Sequence, residues 1–161
     1  MGGYVSLAFA RSYSDRLLGL GLISSQAIAD TPEKKENRYS SLKQIRESGI
    51  EIIASNMVGK LTSNSMLQSQ LYEIIMSQSE TGIMSAIQAL AERQDQTSLL
   101  GSLNVPLLFV HGDSDELIPL QRAVVESNAA KNSKLVIIPG AGHMPMLEYP
   151  ERTASALIWL K

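Results

Sequence analysis

Apolar residues at helical spacing begin the chain, and a nearly continuous apolar run follows them. Residues at intervals of three or four predict a helix over residues 2–13. Its apolar side would consist of Tyr4, Val5, Ala8, Phe9 and Ser12. Residues 17–24 then form a short apolar segment, interrupted by two glycines, which is typical of a strand buried on both faces.

Polar and charged residues dominate residues 29–36, and helical spacing resumes after them. We interpret this stretch as a link between two parts of the chain. From Ser41 to about Leu100 the pattern is helical. The apolar residues that carry it are Leu42, Ile45, Ile50, Ile53, Ala54, Leu67, Leu71, Ile74, Ile75, Ile83, Ile87, Leu90 and Ala91.

The last sixty residues alternate between strand and helix patterns. Strands are predicted at 105–111 and 134–138, and helices at 120–131 and 150–161. Strands separated by helices favour a parallel sheet with right-handed crossovers. The fold class is therefore α/β, with about three parallel strands flanked by helices. We expect residues 1–30 and 99–161 to form this core, and residues 31–98 to be an inserted helical lid.

Composition excludes several classes of function. The 161 residues suffice for one domain, and the net charge of −2 with a pI of about 5.7 provides no basic surface for nucleic acid. The chain has no Cys and only two His, His111 and His143, so neither a disulfide, a Cys nucleophile nor a metal site is expected. No cofactor is expected.

Two targeting patterns near the start of the chain were weighed and rejected. The apolar run after Arg11 and Arg16 is followed by Ala27-Ile28-Ala29, as in a signal peptide, but Asp15 interrupts the basic region. Met1-Gly2 with Ser6 fits a loose myristoylation pattern. No segment reaches the ~18–20 apolar residues of a membrane span. We expect a cytoplasmic protein with no membrane partner.

Two loops follow neighbouring strands and carry the candidate chemistry. Asp115 lies after the strand that ends at His111, and His143 lies after the next strand. Ligands bind beyond the carboxyl ends of parallel strands, so the two loops are expected to converge there. A carboxylate that accepts from an imidazole fixes its tautomer for general-base catalysis. Asp113 is the alternative acid, and His111 is interpreted as a ring packed at the strand end.

Three motifs resemble the second half of an α/β-hydrolase. They are Met1-Gly2-Gly3-Tyr4-Val5, Gly112-Asp113-Ser114-Asp115 and Gly142-His143-Met144-Pro145. The chain is most similar to lid-bearing members such as 3-oxoadipate enol-lactonase and related esterases. The resemblance implies a truncated α/β-hydrolase in which Asp115 is the triad acid and His143 the general base. It also implies that Asp113 caps the turn.

The family's nucleophile elbow reads Gly-x-Ser-Met-Gly-Gly, which would place the Ser directly before Met1. Met1 then matches one oxyanion-hole donor, and Gly2 and Gly3 begin the elbow helix. Ser6 lies within that helix and cannot replace the nucleophile. The resemblance thus implies ester or lactone hydrolysis by a Ser-His-Asp mechanism only when the missing half is supplied. The resemblance also implies that this chain alone is inactive.

An alternative is a non-catalytic binding or assembly module derived from a hydrolase, and another is a wrongly assigned start codon. The strand at 17–24 would have an unpaired edge, so we expect a homo-oligomer formed through it.

Two further interpretations concern packing. The lid methionines (Met57, Met66, Met76 and Met84) would either line an acyl pocket or pack between helices. Glu148 and Glu151 are expected near the start of the final helix.

Overall fold

The computed structural model describes residues 1–160. A three-stranded parallel sheet consists of β1 (Leu20–Ile23), β2 (Leu107–Gly112) and β3 (Ser133–Ile138), with β2 in the centre. In the register of the sheet, Leu22 lies opposite Phe109 on β2, and Val110 lies opposite Val136 on β3. The predicted α/β class with parallel strands is confirmed.

Helices fill the rest of the described chain. They are α1 (Gly2–Ser12), α2 (Pro32–Ser48), α3 (Glu51–Leu61), α4 (Ser65–Met76), α5 (Glu80–Glu92), α6 (Thr97–Ser102), α7 (Leu120–Ala129), α8 (Pro145–Glu148) and α9 (Pro150–Leu157). Short 3₁₀ turns occupy Ser14–Arg16 and Ile158–Leu160. Helix α2 packs on α5, and α3 on α4. None of the helices within residues 1–160 combines the length and hydropathy needed to cross a membrane.

The core lies on both faces of the sheet. On one face, Leu7 of α1 and Leu100 of α6 pack with Leu22 and Phe109. On the other face, Leu108 and Val110 pack with Ile138 and Ala156 of α9. All six residues of β2 are buried. Each buried Leu or Phe side chain contributes roughly 1.5–3 kcal/mol, so β2 is the best-stabilised element.

Strand β1 is shorter than the predicted 17–24. Leu20 N donates to Pro106 O at 2.9 Å, and pairing continues only to Ile23 and Ser24, whose amide donates to Val110 O. Residues before Leu20 face no partner strand, because β2 itself begins at Leu107. Leu18 is consequently 93% exposed.

The buried side of α1 also differs from the prediction. Leu7 and Ala10 are buried against the sheet, whereas Val5 and Phe9 are largely exposed. Gly3 lies on the buried side: a Cβ there would be 2.2 Å from Ser25 Oγ. Backbone contact at this glycine sets the rotation of the helix, and a count of large apolar side chains cannot detect it.

The charged stretch at 29–36 is mostly helix. Helix α2 begins at Pro32, where Thr31 Oγ1 accepts from Lys34 N at 3.2 Å. Thr followed by Pro and Glu is a helix-start signal. The sequence therefore contained a signal for the start of α2, which the interpretation of residues 29–36 as a charged link overlooked. At the other end of the chain, the helix predicted over 150–161 ends at Leu157, and Lys161 lies outside the described residues.

Hydrogen bonds join the two connections between the sheet and helices α2–α5. Gln96 N donates to Ala27 O at 2.9 Å, and Ala29 N donates to Asp95 Oδ2 at 3.0 Å. Ala27 N also donates, at 2.8 Å, to the carboxylate of Glu126, which is fully buried on α7. The entry and exit of this helical segment are therefore held together and tied to the sheet layer.

Candidate active site

The carboxyl ends of β2 and β3 bring Asp115 and His143 together. Asp115 lies three residues after β2, and His143 lies five residues after β3, in neighbouring loops at one end of the sheet. His143 Nδ1 is 2.8 Å from Asp115 Oδ2. The Asp115 side chain is fully buried, whereas that of His143 is 20% exposed. The site therefore consists of a buried acid beneath an accessible imidazole.

The environment of Asp115 keeps its carboxylate ionised. Oδ1 accepts from the backbone amides of Leu117 and Ile118, at 2.9 and 3.0 Å. Burial alone would raise the pKa of Asp115, but the hydrogen bonds from His143 and from these amides hold this pKa below its ordinary value of 3.8. An ionised carboxylate at Nδ1 leaves Nε2 of His143 as the nitrogen that can take up a proton.

Asp113 has a different role from Asp115. Its exposed carboxylate accepts from Gly140 N at 2.7 Å and from Ser114 Oγ at 3.1 Å. The bond from Gly140 joins the loop after β2 to the loop after β3. The geometry agrees with Asp113 as a turn residue and with Asp115 as the partner of His143.

His111 is closer to the acid than the sequence indicated. Its ring is 1% exposed, and Nε2 donates to Ile118 O at 2.7 Å while lying 3.5 Å from Asp115 Oδ2. Ile118 thus accepts from His111 through its carbonyl and donates to Asp115 through its amide. His111 fixes the loop that presents the acid.

Gly112 permits the two loops to approach each other. A Cβ at this position would lie 2.2 Å from Ala141 O and 2.4 Å from Gly142 O. Ser114 N donates to Ala141 O at 2.9 Å across the same contact. The glycine of the Gly-x-x-Asp motif is therefore required by close backbone packing.

The loop that carries His143 is also bound to the helical segment. His143 N donates to the carbonyl of Leu61, the last residue of α3, at 2.9 Å. Glu148 Oε2 accepts from Gly142 N at 2.8 Å, and its Oε1 accepts from Thr62 Oγ1 at 2.6 Å. Glu148 precedes α9 as expected, and its carboxylate also accepts hydrogen bonds from the His143 loop and from Thr62, which the sequence did not indicate. Glu151 does lie in the first turn of α9.

At the start of the chain, Met1 begins helix α1. Its carbonyl accepts from Tyr4 N at 3.0 Å and from Val5 N at 3.3 Å. Gly2 has open space where a Cβ would project, in contrast to the close packing at Gly3. The positions agree with an elbow helix, and the oxyanion role of Met1 stays a prediction.

Two cavities meet at His143. One, of about 390 Å³, is bounded by residues 1–4, by Ser24 and Ser25 after β1, and by Met144 and Met146. The other, of about 460 Å³, lies between His143 and the helical segment, with Tyr4, Met57, Lys60, Leu61 and Leu117 among its lining. Met57 is the one predicted lid methionine in the lining of either cavity.

No group of three or more His, Asp or Glu within residues 1–160 is arranged to hold a metal ion.

Ser24 is a strained residue that sequence reasoning missed. Its φ of 43° lies in the left-handed region, which a residue with a Cβ seldom adopts. The hydroxyl is buried, has no hydrogen-bond partner within residues 1–160, and belongs to the lining of the first cavity. Strain and an unpaired polar group cost free energy, and both concentrate at functional sites. No sequence pattern marks this residue, because it depends on where β1 ends.

Comparisons with known proteins agree with this geometry. The sequence model of the alpha/beta hydrolase fold matches residues 1–150. A pimeloyl-[acyl-carrier protein] methyl ester esterase of Neisseria meningitidis is 28% identical over 174 residues, which cover 96% of this chain and 64% of that protein. A solved thermophilic esterase from Thermogutta terrifontis is 37% identical with a TM-score of 0.93, over 99% of this chain and 61% of that one.

A more distant structure shares the fold alone. The enol-lactonase from Burkholderia xenovorans LB400 superimposes with a TM-score of 0.87 at 17% identity, over 99% of this chain and 62% of that one. The chain thus spans slightly less than two thirds of the length of these relatives.

Proposed function

This chain belongs to the α/β-hydrolase fold family, and from that premise we propose that it supplies the acid, the base and the lid of an esterase or lactonase. The contact of 2.8 Å between His143 Nδ1 and Asp115 Oδ2 carries the proposal. It joins a buried ionised acid to an imidazole that borders two cavities. The names of the relatives support carboxylic esters or lactones as the substrate class.

The proposed reaction is acyl transfer through a serine nucleophile from outside residues 1–161. His143 Nε2 accepts the Ser proton as the oxygen attacks the ester carbonyl, and Asp115 stabilises the resulting imidazolium. The imidazolium then gives its proton to the leaving alcohol, and an acyl-enzyme forms. His143 next activates water, which releases the carboxylic acid and the free Ser. The mechanism needs no cofactor and no metal.

Residues at the start of the chain complete the proposed site. In the elbow arrangement, Met1 follows the nucleophile and its amide is one oxyanion-hole donor, while Gly2 and Gly3 begin the helix behind it. Loss of one such donor costs roughly 100–1,000-fold in rate. Without the nucleophile, this chain alone is inactive.

The helical segment over 31–98 is the proposed lid, and residues 1–30 and 99–161 are the core. The position of the second cavity supports this division, because Met57, Lys60 and Leu61 of α3 border it together with His143. A small ester or lactone would lie between α3 and the imidazole. A cytoplasmic location belongs to the same proposal.

The test compares ester hydrolysis by the 161-residue chain with hydrolysis by the native product isolated from its own cells, after its intact mass has been measured. A product of roughly 30 kDa is expected for a complete single-domain hydrolase. It should hydrolyse p-nitrophenyl acetate, whereas the 161-residue chain should not. His143→Ala should reduce kcat by about 10⁴–10⁶-fold without unfolding the protein.

Glu151→Gln serves as the matched control, since this residue is exposed in the first turn of α9. An unchanged rate in the His143→Ala variant would overturn the assignment. Turnover by the 161-residue chain would overturn its inactivity, and Ser24 and Ser25 would be the first residues to replace.

The second candidate function is a non-catalytic module that self-associates. Strand β1 pairs with β2 on one side only and lies at the edge of the sheet. Helix α1, which packs on β1, carries the exposed side chains of Val5 and Phe9, and the exposed Tyr13 follows at its C-cap. An unpaired strand next to an apolar stripe favours association through this face. If the chain has this function, the contact between Asp115 and His143 is retained from an ancestral hydrolase and has no catalytic role.

A further inference from the structure

The end of α3 and the His143 loop meet through three hydrogen bonds. One joins the backbones of His143 and Leu61, and two converge on the carboxylate of Glu148 from Gly142 N and Thr62 Oγ1. All of these groups lie within the described chain, and Leu61 and Thr62 are far in sequence from the His143 loop and Glu148. The amides of Gly142 and His143 are therefore both held. Leu61 of the helical segment binds the His143 amide directly, and Glu148, which Thr62 binds, accepts from the Gly142 amide.

Close packing makes this contact specific. A Cβ on Gly142 would lie 3.1 Å from Leu61 O and 3.3 Å from Glu148 Oε1, so both hydrogen-bonding groups approach this glycine closely. Thr62 is 2% exposed, and its other polar groups are also engaged: its Oγ1 accepts from Asn64 N, and its carbonyl accepts from the Gln68 side chain. The turn between α3 and α4 is thus rigid where it touches Glu148.

Glu148 makes no contact with the imidazole in the hydrogen bonds described, yet it controls the backbone that carries the ring. Asp115 fixes the ring through Nδ1, and Leu61 fixes the amide of the same residue. A hydrogen bond to a charged group is stronger than one between neutral groups, so the bonds to Glu148 favour one conformation of this short loop. Thr62 delivers one of these bonds from the helical segment.

We propose that Glu148 is a positioning residue and that, with Thr62, it forms a clamp through which the lid sets the place of His143. The inference rests on the proposed function for its catalytic meaning, whereas the clamp itself is measurable in the 161-residue chain. A displacement of α3 would release His143 as well as uncover the cavity. Substrate entry and assembly of the acid–base pair are then one event.

The test uses the 161-residue chain and three variants: Thr62→Val, Thr62→Ser and Glu148→Ala. The first readout is amide hydrogen exchange at His143, whose direct acceptor, Leu61 O, is unchanged in every variant. The second is the rate at which diethyl pyrocarbonate modifies His143, with buried His111 as the internal control.

Thr62→Val and Glu148→Ala should each raise exchange at the His143 amide by about tenfold or more, because both remove the hydrogen bond between Thr62 Oγ1 and Glu148. Modification of His143 should accelerate by several-fold, while His111 stays protected. Thr62→Ser retains the hydroxyl and should behave as the unchanged chain.

Two outcomes would overturn the proposal. Unchanged exchange at His143 in Thr62→Val would show that the helical segment does not position the loop. Exposure of His111 together with His143 in either clamp variant would show a general loss of structure. Neither outcome depends on hydrolysis, so the clamp and the proposed esterase function can fail independently. In a hydrolytically active form, Thr62→Val should lower kcat more than it changes KM, with Thr62→Ser restoring it.

Discussion

At the scale of single residues, the carboxyl groups with a shifted pKa divide into two groups. Burial alone would raise the pKa of Asp30, yet Arg38 and Arg93 hold it below its ordinary value. The Thr97 hydroxyl and two amides likewise lower the pKa of Asp95. Burial has the opposite net result at Glu126, whose pKa is raised above its ordinary 4.5 despite two backbone amides. These groups give opposite dependences of stability on pH.

A pH dependence of the free energy of unfolding follows for Asp115. Its folded pKa is depressed, so its contribution is present above the ordinary value of 3.8 and is lost as the pH falls through the lower folded value. Asp30 and Asp95 act in the same direction. Urea unfolding should therefore give a steep loss of stability below about pH 4. Asp115→Asn should lose less stability than the unchanged chain between pH 5 and pH 3, and an equal loss would contradict the assigned shift.

Glu126 predicts the opposite trend at higher pH. Its folded pKa is raised, so its contribution is present below the ordinary 4.5 and is lost as the pH rises through the folded value. The free energy of unfolding of the unchanged chain should fall as the pH rises above 4.5 through the folded pKa of Glu126, and Glu126→Gln should flatten this decline. A slope that the substitution leaves unaltered would exclude Glu126 as its source.

At the scale of elements, glycines decide how closely the loops and helices approach. A Cβ at Gly112 would lie 2.2 and 2.4 Å from two backbone oxygens. Backbone atoms cannot move aside as a flexible side chain can. Gly59 has open space at the same point, within helix α3. The two positions form a matched pair for the same substitution.

Gly112→Ala should destabilise the fold by about 2–4 kcal/mol, since the loops after β2 and β3 must separate. Gly59→Ala should instead stabilise it by about 0.5–1 kcal/mol, because Ala loses less backbone freedom in a helix. Urea unfolding of both variants at one pH is the measurement. Equal effects of the two substitutions would show that the loops tolerate separation.

The same elements show what the sequence could predict. The α/β class, the parallel strands and the encounter of Asp115 with His143 followed from period and order, because carboxyl ends of parallel strands share one edge. The buried side of α1 did not follow, since Gly3 sets the helix rotation through a backbone contact. The contacts of Glu148 were missed for a similar reason: its partners, Gly142 and Thr62, lie on different elements, and no local spacing relates them.

At the scale of the whole molecule, part of the exposed apolar surface belongs to the segments that precede β1 in the chain. Val5 and Phe9 on α1 and Tyr13 at its C-cap are exposed, and Leu18 before β1 is almost fully so. The predicted oligomer through residues 17–24 has a shorter edge available than the sequence indicated, because β1 spans only Leu20–Ile23. The helix stripe would then supply much of the buried area.

Light scattering at micromolar concentration tests association of the 161-residue chain. A dimer or larger species is expected, and Phe9→Lys should shift it toward the monomer by placing a charge in the apolar stripe. Val125→Lys is the control, since this exposed apolar residue lies on α7. A monodisperse monomer, or equal effects of both substitutions, would exclude the α1 face as the contact.

The order of strands in the sheet has a consequence for how the protein forms. Leu107 of β2 pairs with Ser133 of β3, which follows shortly after it, but also with Leu20 of β1, from which helices α2–α6 separate it. Closing the longer loop costs about 1 kcal/mol more in chain entropy. During synthesis at about 5–20 residues per second, β1 emerges first but waits on the order of 4–17 seconds for its partner. Strand β1 and the neighbouring helix α1 are thus made well before β2, and the face of α1 that later packs on the sheet stays open to chaperones throughout that interval.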